Sequence, residues 1–345
     1  MTTPQNNYPD LARAVGLSAQ PGVSALCLKR EDLHPYGSHK GRSIPLMIDH
    51  YVKEGRRHFA ISSSGNAALA AAMYVKKLNG NAPAYSSSTA ATQDERKLFR
   101  SHEGVRKSVP VAAHGADQGS EKIKLEILVG NKITDHKFKK LTDLADDSIS
   151  VMRFERPLQT LTQKTADGTI QSLRQSTDDT ALMGYESLAQ ELAEIKDLQA
   201  IFVATSSGTT AQALARYFLN KGEREKGRKG EKTWQVEVHI VQTTSCHPIA
   251  LEFVDSVPSD EESTADAIVD TSARRKDALV PLIQKTNGCG WIVSNEELLI
   301  AQEIAEKHTG IKMSPNGALA LAGLMQAAFT GQEWDGAVVC IVGGE

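Results

Sequence analysis

Short apolar runs alternate along the chain with amphipathic stretches. HFAIS (58–62) leads through the turn SSGN into AALAAAMYVKKL, which carries helical spacing and stops at Asn79-Gly80. LQAIFVAT (198–205) repeats this order, with SSGTT as the turn and AQALARYFLN (211–220) as the helix. VEVHIVQ (236–242) and AVVCIV (337–342) read as further buried strands, the last closed by Gly343-Gly344. Helical periodicity runs through 181–196 and 295–308. The Ala-rich stretch 314–330 is interrupted by Pro315, Asn316, Gly317, Gly323 and Gln326, which makes it a buried helix of a soluble protein. No apolar run approaches the roughly 18–20 residues of a membrane span. Strands alternating with helices predict an α/β fold with parallel sheets covered on both faces.

The segment 80–150 breaks the pattern. It is polar, with weak strand signals at PAYSS (83–87) and VRKSVPVAA (105–113), a helical stretch at 119–129 and the basic run KITDHKFKK (132–140). It reads as part of a smaller, mobile domain. The charge run KGEREKGRKGEK (221–232) reads as a solvated connection and SVPSDEESTAD (256–266) as an exposed loop.

Composition narrows the function. A chain of 345 residues is long enough for two domains. Aromatic residues make up only 5%, which argues against a base-stacking platform for nucleic acid. A net charge of −3 gives no pull towards nucleic acid or an anionic membrane, so a small molecule is the expected partner. Cys27, Cys246, Cys289 and Cys340 are scattered, with neither disulfide-framework nor zinc spacing. No metal is expected. MTTPQNNYPDLARAV lacks the basic start and apolar core of a secretory signal, so the expected location is the cytoplasm.

Three loops carry candidate chemistry. In KREDLHPYGSHKGR (29–42) a charged run turns through Pro35 and Gly37 and delivers Lys40. Such a lysine is either an ordinary surface residue or an amine placed against a carbonyl. In SSSGNAALAAA (62–72) the helix start is either a plain cap or an anion site. In ATSSGTTAQALA (204–215) the amides of Ser207, Gly208, Thr209 and Thr210 either form a plain loop or surround a phosphate. This loop matches neither the nucleotide-triphosphate nor the dinucleotide glycine pattern.

The three loops in this order resemble the pyridoxal-phosphate enzymes of the tryptophan-synthase-β fold type, nearest the threonine synthase and threonine dehydratase branch. DDTALMGYESLAQEL, VHIVQTTSCHPIA, SNEELLIAQEIAEKHTGIKMSPNGALALAGL and the terminal CIVGGE extend the likeness over most of the chain. The resemblance implies three-layer parallel or mixed sheets in two domains. Residues 1–45 and 161–345 would form a large cofactor-binding domain, and 46–160 a small mobile one. It implies pyridoxal 5'-phosphate held as a Schiff base on Lys40, with Asn66 on the ring oxygen. Ser206, Ser207, Gly208, Thr209 and Thr210 would hold the phosphate. Ser63, Ser64 and Gly65, with Asn66, would grip the carboxylate of a small amino-acid substrate. A homodimer is implied as well.

Departures cluster around this site. Val342 stands where the family places the Ser or Thr that faces the pyridine nitrogen, with Cys340 on the same strand face. Met313 stands where Glu is frequent, Tyr185 where Gln is common, and His39 where Phe often precedes the lysine. The lysine loop and SSGNAALAAA lean towards a threonine-synthase-like lyase that performs elimination and replacement at Cβ or Cγ. KREDL leans towards a serine or threonine ammonia-lyase. Val342 and Met313 raise a third reading, a cofactor-binding protein with lost or altered turnover.

Overall fold

The computed structural model of the chain describes residues 2–17, 25–80, 121–225, 235–255 and 262–344. The weak strand signals at 83–87 and 105–113 lie outside the described residues, as do most of 221–232 and the first part of 256–266. In chain order the strands are β1 (Gln5–Asn7), β2 (Leu26–Arg30), β3 (His58–Ser62), β4 (Lys124–Gly130), β5 (Ile149–Phe154), β6 (Gln171–Ser172), β7 (Leu198–Ala204), β8 (Glu237–Thr243), β9 (Gly290–Val293) and β10 (Ala337–Val342). The chain divides into two compact units, Met1–Leu46 with Gln175–Glu345, and Met47–Arg174.

The larger unit is built on a six-stranded sheet ordered β1-β2-β10-β7-β8-β9. β1 is antiparallel to β2, and the other pairs are parallel. β10 explains why a sheet buried on both faces forms here. Its six residues AVVCIV are all buried, as expected of a central parallel strand rich in β-branched side chains. Period-two alternation sends Val338, Cys340 and Val342 into one core and Val339 and Ile341 into the other. The first core is closed by the helices Pro9–Ala14, Asn295–Thr309 and Pro315–Phe329, the second by Glu186–Leu192, Thr209–Glu225 and Lys276–Lys285. The result is a three-layer α/β arrangement, as the residue pattern predicts.

Local signals set the helix boundaries. Ser294 and Glu297 form a reciprocal capping box, and Gly310 ends that helix at φ 70° in the left-handed region. Ser314 caps the helix Pro315–Phe329, accepting from the Gly317 amide, with Pro315 at the first helical position. The periodic stretch 181–196 is two helices, Thr180–Met183 and Glu186–Leu192. The break falls at Gly184, where a Cβ would lie 2.3 Å from the Ser43 Cα.

The smaller unit holds a four-stranded parallel sheet ordered β5-β4-β3-β6. The expected helix at 119–129 is instead the strand β4, paired on both sides by β3 and β5. KLEILVG is a short apolar run whose spacing suits either element, and its place between two strands decides for the sheet. The basic run that follows enters the helix Asp135–Thr142, capped by the Thr134 side chain.

Candidate active site

Three parallel neighbours, β2, β10 and β7, end together. Arg30 pairs with Val342, and Ile341 pairs with Val203. The loops that leave their carboxyl ends are the lysine loop (31–39), Gly343-Gly344 and the turn 205–208. The edge outside the carboxyl ends of parallel strands is where open α/β sheets bind ligands.

The lysine loop is held from beneath by charge. Lys29, Glu31 and Arg42 are buried. Arg42 donates to Glu31 at 2.8 and 2.7 Å and to Glu191 at 3.0 and 2.9 Å. Lys29 donates to Glu191 at 2.6 Å and to the Thr3 carbonyl at 2.8 Å. Two cations and two carboxylates thus neutralise one another inside the fold. Burial alone would raise the Glu31 carboxyl, but the Arg42 hydrogen bonds and charge, with the Thr3 hydroxyl, hold it at about 2. Burial lowers the Lys29 amine despite its Glu191 partner. Burial also works against the Arg42 charge, yet pairing with Glu31 and Glu191 pushes that guanidinium upward. The charged residues that lead into the lysine loop are therefore its buried foundation.

Close backbone contacts fix the loop from the sides. A Cβ on Gly41 would come within 2.5 Å of the His34 ring, and one on Gly344 within 2.0 Å of the Gly37 carbonyl oxygen. Gly37 itself sits at φ 79°. Lys40 then opens the helix Lys40–Lys53. Its Nζ lies 5.9 Å from the centre of the fully buried Tyr185 ring, within cation–π range. Lys40 forms no ion pair among the described residues. His39 is kept neutral, pushed down to about 3 first by burial and then by the Lys40 charge. Its Nδ1 is buried without a hydrogen-bond partner among the described residues.

The second loop turns at Gly208, φ 85°, and feeds the helix Thr209–Glu225. A Cβ on Gly208 would lie 2.8 Å from Leu279 Cδ2. Ser207 Oγ and Thr209 Oγ1 are hydrogen-bonded at 2.9 Å. Thr210 Oγ1 is buried and has no partner among the described residues. Ser206 is turned to another task, its hydroxyl accepting from the Val269 and Asp270 amides at 3.2 Å each. Buried Arg275 braces the turn, donating to the Gln175 carbonyl, Gln212 and Asp179.

Gln175 ties the two loops together. Its side-chain amide donates to Ser43 Oγ at 2.8 Å and to the Tyr185 hydroxyl at 3.2 Å. Its carbonyl accepts from Arg275 at 2.6 Å and from Thr209 Oγ1 at 3.4 Å. Gln175, Arg275 and Glu191 escape sequence reasoning, because only the tertiary fold brings them to the loops.

At the end of β10 Val342 is buried and offers no hydrogen bond. The Cys340 thiol donates to the Ala320 carbonyl at 3.6 Å. Burial, with Cys27 nearby, pushes that thiol upward and keeps it protonated. Met313 is likewise buried in the apolar core.

In the smaller unit Ser63, Ser64 and Gly65 follow β3, and Asn66 opens the helix Asn66–Leu78. The cap residue is Gly65, which supplies no side-chain hydrogen bond. The first-turn amides are therefore not satisfied by a capping side chain, which is the condition for an anion site.

The family model described as pyridoxal-phosphate dependent enzyme matches residues 3–344. The chain belongs to this family. Among curated relatives it is similar to the threonine synthases of Mycobacterium bovis and Mycobacterium tuberculosis, 25% identical over 339 residues, covering 97% of this chain and 80% of each relative. Among solved structures it is similar to a pyridoxal 5'-phosphate-dependent aspartate racemase, with TM-score 0.70, 18% identity and coverage of 100% and 91% of the two chains. Threonine deaminase isoform 2 from Solanum lycopersicum follows with TM-score 0.68, 15% identity and coverage of 100% and 84%. These likenesses are to the fold. The cofactor of this pyridoxal-phosphate enzyme is pyridoxal 5'-phosphate, and the larger unit suits it. A glycine turn at a helix N-terminus, with a Thr210 hydroxyl that has no partner among the described residues, has the chemistry to fit a phosphate. No helix among the described residues is long and apolar enough to cross a membrane, and no His, Cys, Asp or Glu group among them is arranged to hold a metal.

Proposed function

We propose that Lys40 bonds the cofactor aldehyde, that the turn 207–210 binds its phosphate, and that the enzyme is a threonine-synthase-like lyase. The observation that carries this reading is the shared edge of β2, β10 and β7, where the lysine loop and the glycine turn emerge on either side of Gly343-Gly344 and are joined through Gln175. The curated threonine synthases add weight to the choice of reaction.

When bound, the cofactor would supply an electron sink for the substrate α-carbon. The residues do the rest. Lys40, as a free amine, would take the substrate α-proton and return it. The Tyr185 ring lies 5.9 Å from the amine, within cation–π range, and helps to position it. Ser207, Gly208, Thr209 and Thr210 would hold the phosphate through amides and hydroxyls, with Ser206 shaping the turn by bonding the 269–270 segment. Ser63, Ser64 and Gly65 would take the substrate carboxylate on the uncapped helix start, and Asn66 the ring oxygen. A small amino acid with a leaving group at Cβ or Cγ is the substrate class.

Incubation with O-phosphohomoserine tests the reaction. Release of phosphate together with threonine is the expected result. Neither product would reject this reaction. Keto acid formed from serine or threonine would reassign the enzyme as an ammonia-lyase. A bound cofactor whose spectrum ignores every amino acid would make it a binding protein.

A further inference from the structure

Gln175 occupies an unusual place. One end of the residue touches the lysine side of the site, and the other end touches the phosphate side. Through its side chain it holds Ser43, one helical turn beyond Lys40, and the hydroxyl of Tyr185, whose ring lies under the Lys40 amine. Through its carbonyl it holds Thr209 and Arg275. All of these groups are buried except the amine of Lys40 itself, which is half-buried.

The bonds are unequal in strength. The Arg275 bonds, at 2.6 and 3.1 Å, are short. The Thr209 bond, at 3.4 Å, is long, and Thr209 Oγ1 also shares a 2.9 Å hydrogen bond with Ser207 Oγ. Thr209 has one hydroxyl proton. An anion at the turn is a stronger acceptor than a peptide carbonyl and would draw that proton away from Gln175. Gln175 would then settle on Arg275 alone, and its side chain would carry the change to Ser43 and Tyr185.

We propose that Gln175 is a positioning residue through which an occupied phosphate turn improves the placement of Lys40 for bonding an aldehyde. The proposal rests on the reading of Lys40 and the turn 207–210 given above. It makes the phosphate group an effector of the lysine as well as an anchor. The coupling is a free energy shared between two sites, so it is measurable with the two halves of the cofactor supplied separately.

The experiment uses the full-length chain freed of cofactor, with pyridoxal as the aldehyde and inorganic phosphate as the anion. The Lys40 nitrogen joins the aldehyde carbon with loss of water. Borohydride then delivers hydride to the resulting C=N bond, which leaves a stable secondary amine that mass spectrometry assigns to a residue. The apparent dissociation constant of pyridoxal is read from its visible absorbance, with and without phosphate. Phosphate is expected to tighten pyridoxal about fivefold in the unaltered chain. Gln175→Leu should abolish the gain, because both amide hydrogen bonds are lost. Tyr185→Phe keeps the ring but loses one bond, and should lose about half of the gain on a logarithmic scale.

A direct contact between phosphate and pyridoxal would survive Gln175→Leu unchanged, and that result would overturn the proposal. Should Gln175→Leu fail to fold, Tyr185→Phe decides alone, and a full gain there rejects the relay. Pyridoxal fixed on a residue other than Lys40 in the unaltered chain would reject the site reading and the relay together. Fixation on Lys40 without any phosphate effect would reject the relay alone.

Discussion

Arg42 donates to both carboxylate oxygens of Glu31, Nε to Oε2 at 2.8 Å and Nη2 to Oε1 at 2.7 Å, with both side chains buried. The pair joins the end of β2 to the first turn of the helix that Lys40 opens. Arg42→Met leaves the Glu31 charge buried with its main partner gone. Breaking such a pair costs about 3–5 kcal/mol. Denaturant unfolding at neutral pH should show a loss of that size. The double change Glu31→Gln with Arg42→Met should recover part of it, since no unpaired charge remains.

The same pair sets an acid limit. Glu31 is held at about 2 in the folded chain against an ordinary 4.5. A depressed folded value means the stabilisation is complete above the ordinary value and drains away as pH falls from 4.5 towards 2. Unfolding free energy measured across that window should fall more steeply in the unaltered chain than in Glu31→Gln.

His39 gives a second, higher window. Its folded value of about 3 lies below the ordinary 6.5, so the unfolded chain takes up the proton first. Stability from the neutral ring is complete above 6.5 and is lost as pH falls through the interval to about 3. His39→Phe keeps an aromatic ring without the titrating group. It should flatten the stability profile over this interval, read by thermal unfolding at a series of pH values.

Thr210 separates binding from folding. Its buried hydroxyl has no partner among the described residues, so the folded chain already bears the cost of stripping it of water. Thr210→Val removes that cost while keeping the shape. The variant should be as stable as the unaltered chain or slightly more so, while its affinity for pyridoxal 5'-phosphate falls about fivefold to tenfold. Equilibrium titration and thermal unfolding on the same samples check both halves.

Much of the frame was legible in the residues. β3, β7, β8 and β10 follow from short apolar runs ended by small turn residues, and the two loops at 205–210 and 62–66 follow from what comes after those runs. The strand β4 was not legible, because KLEILVG has no period long enough to separate strand from helix. The KRED run was visible as charge but not as buried charge. Its neutralising partner Glu191 comes from a helix about 160 residues away, and no local pattern announces it. Gln175 and Arg275 were hidden for the same reason, since their roles depend on backbone atoms that only the fold brings near.

Glycine contacts around the lysine loop make a further prediction. Gly344→Ala would drive a Cβ to 2.0 Å from the Gly37 carbonyl oxygen, a rigid backbone atom just before Lys40. The loop must shift, and a displacement near 1 Å in a catalytic group costs about a hundredfold in rate. Gly331→Ala, with open space around its Cβ position but φ 87°, is the control. It should lower stability by about 1–2 kcal/mol and leave cofactor binding unchanged. Turnover of both variants, measured beside a titration with pyridoxal 5'-phosphate, distinguishes loop displacement from general strain.

The most direct test of the whole account is borohydride reduction of the chain loaded with pyridoxal 5'-phosphate, followed by peptide mass spectrometry. The added mass should fall on the peptide that contains Lys40, and the visible absorption band should be missing in Lys40→Ala. A label on another lysine, or an undiminished band in Lys40→Ala, would contradict it.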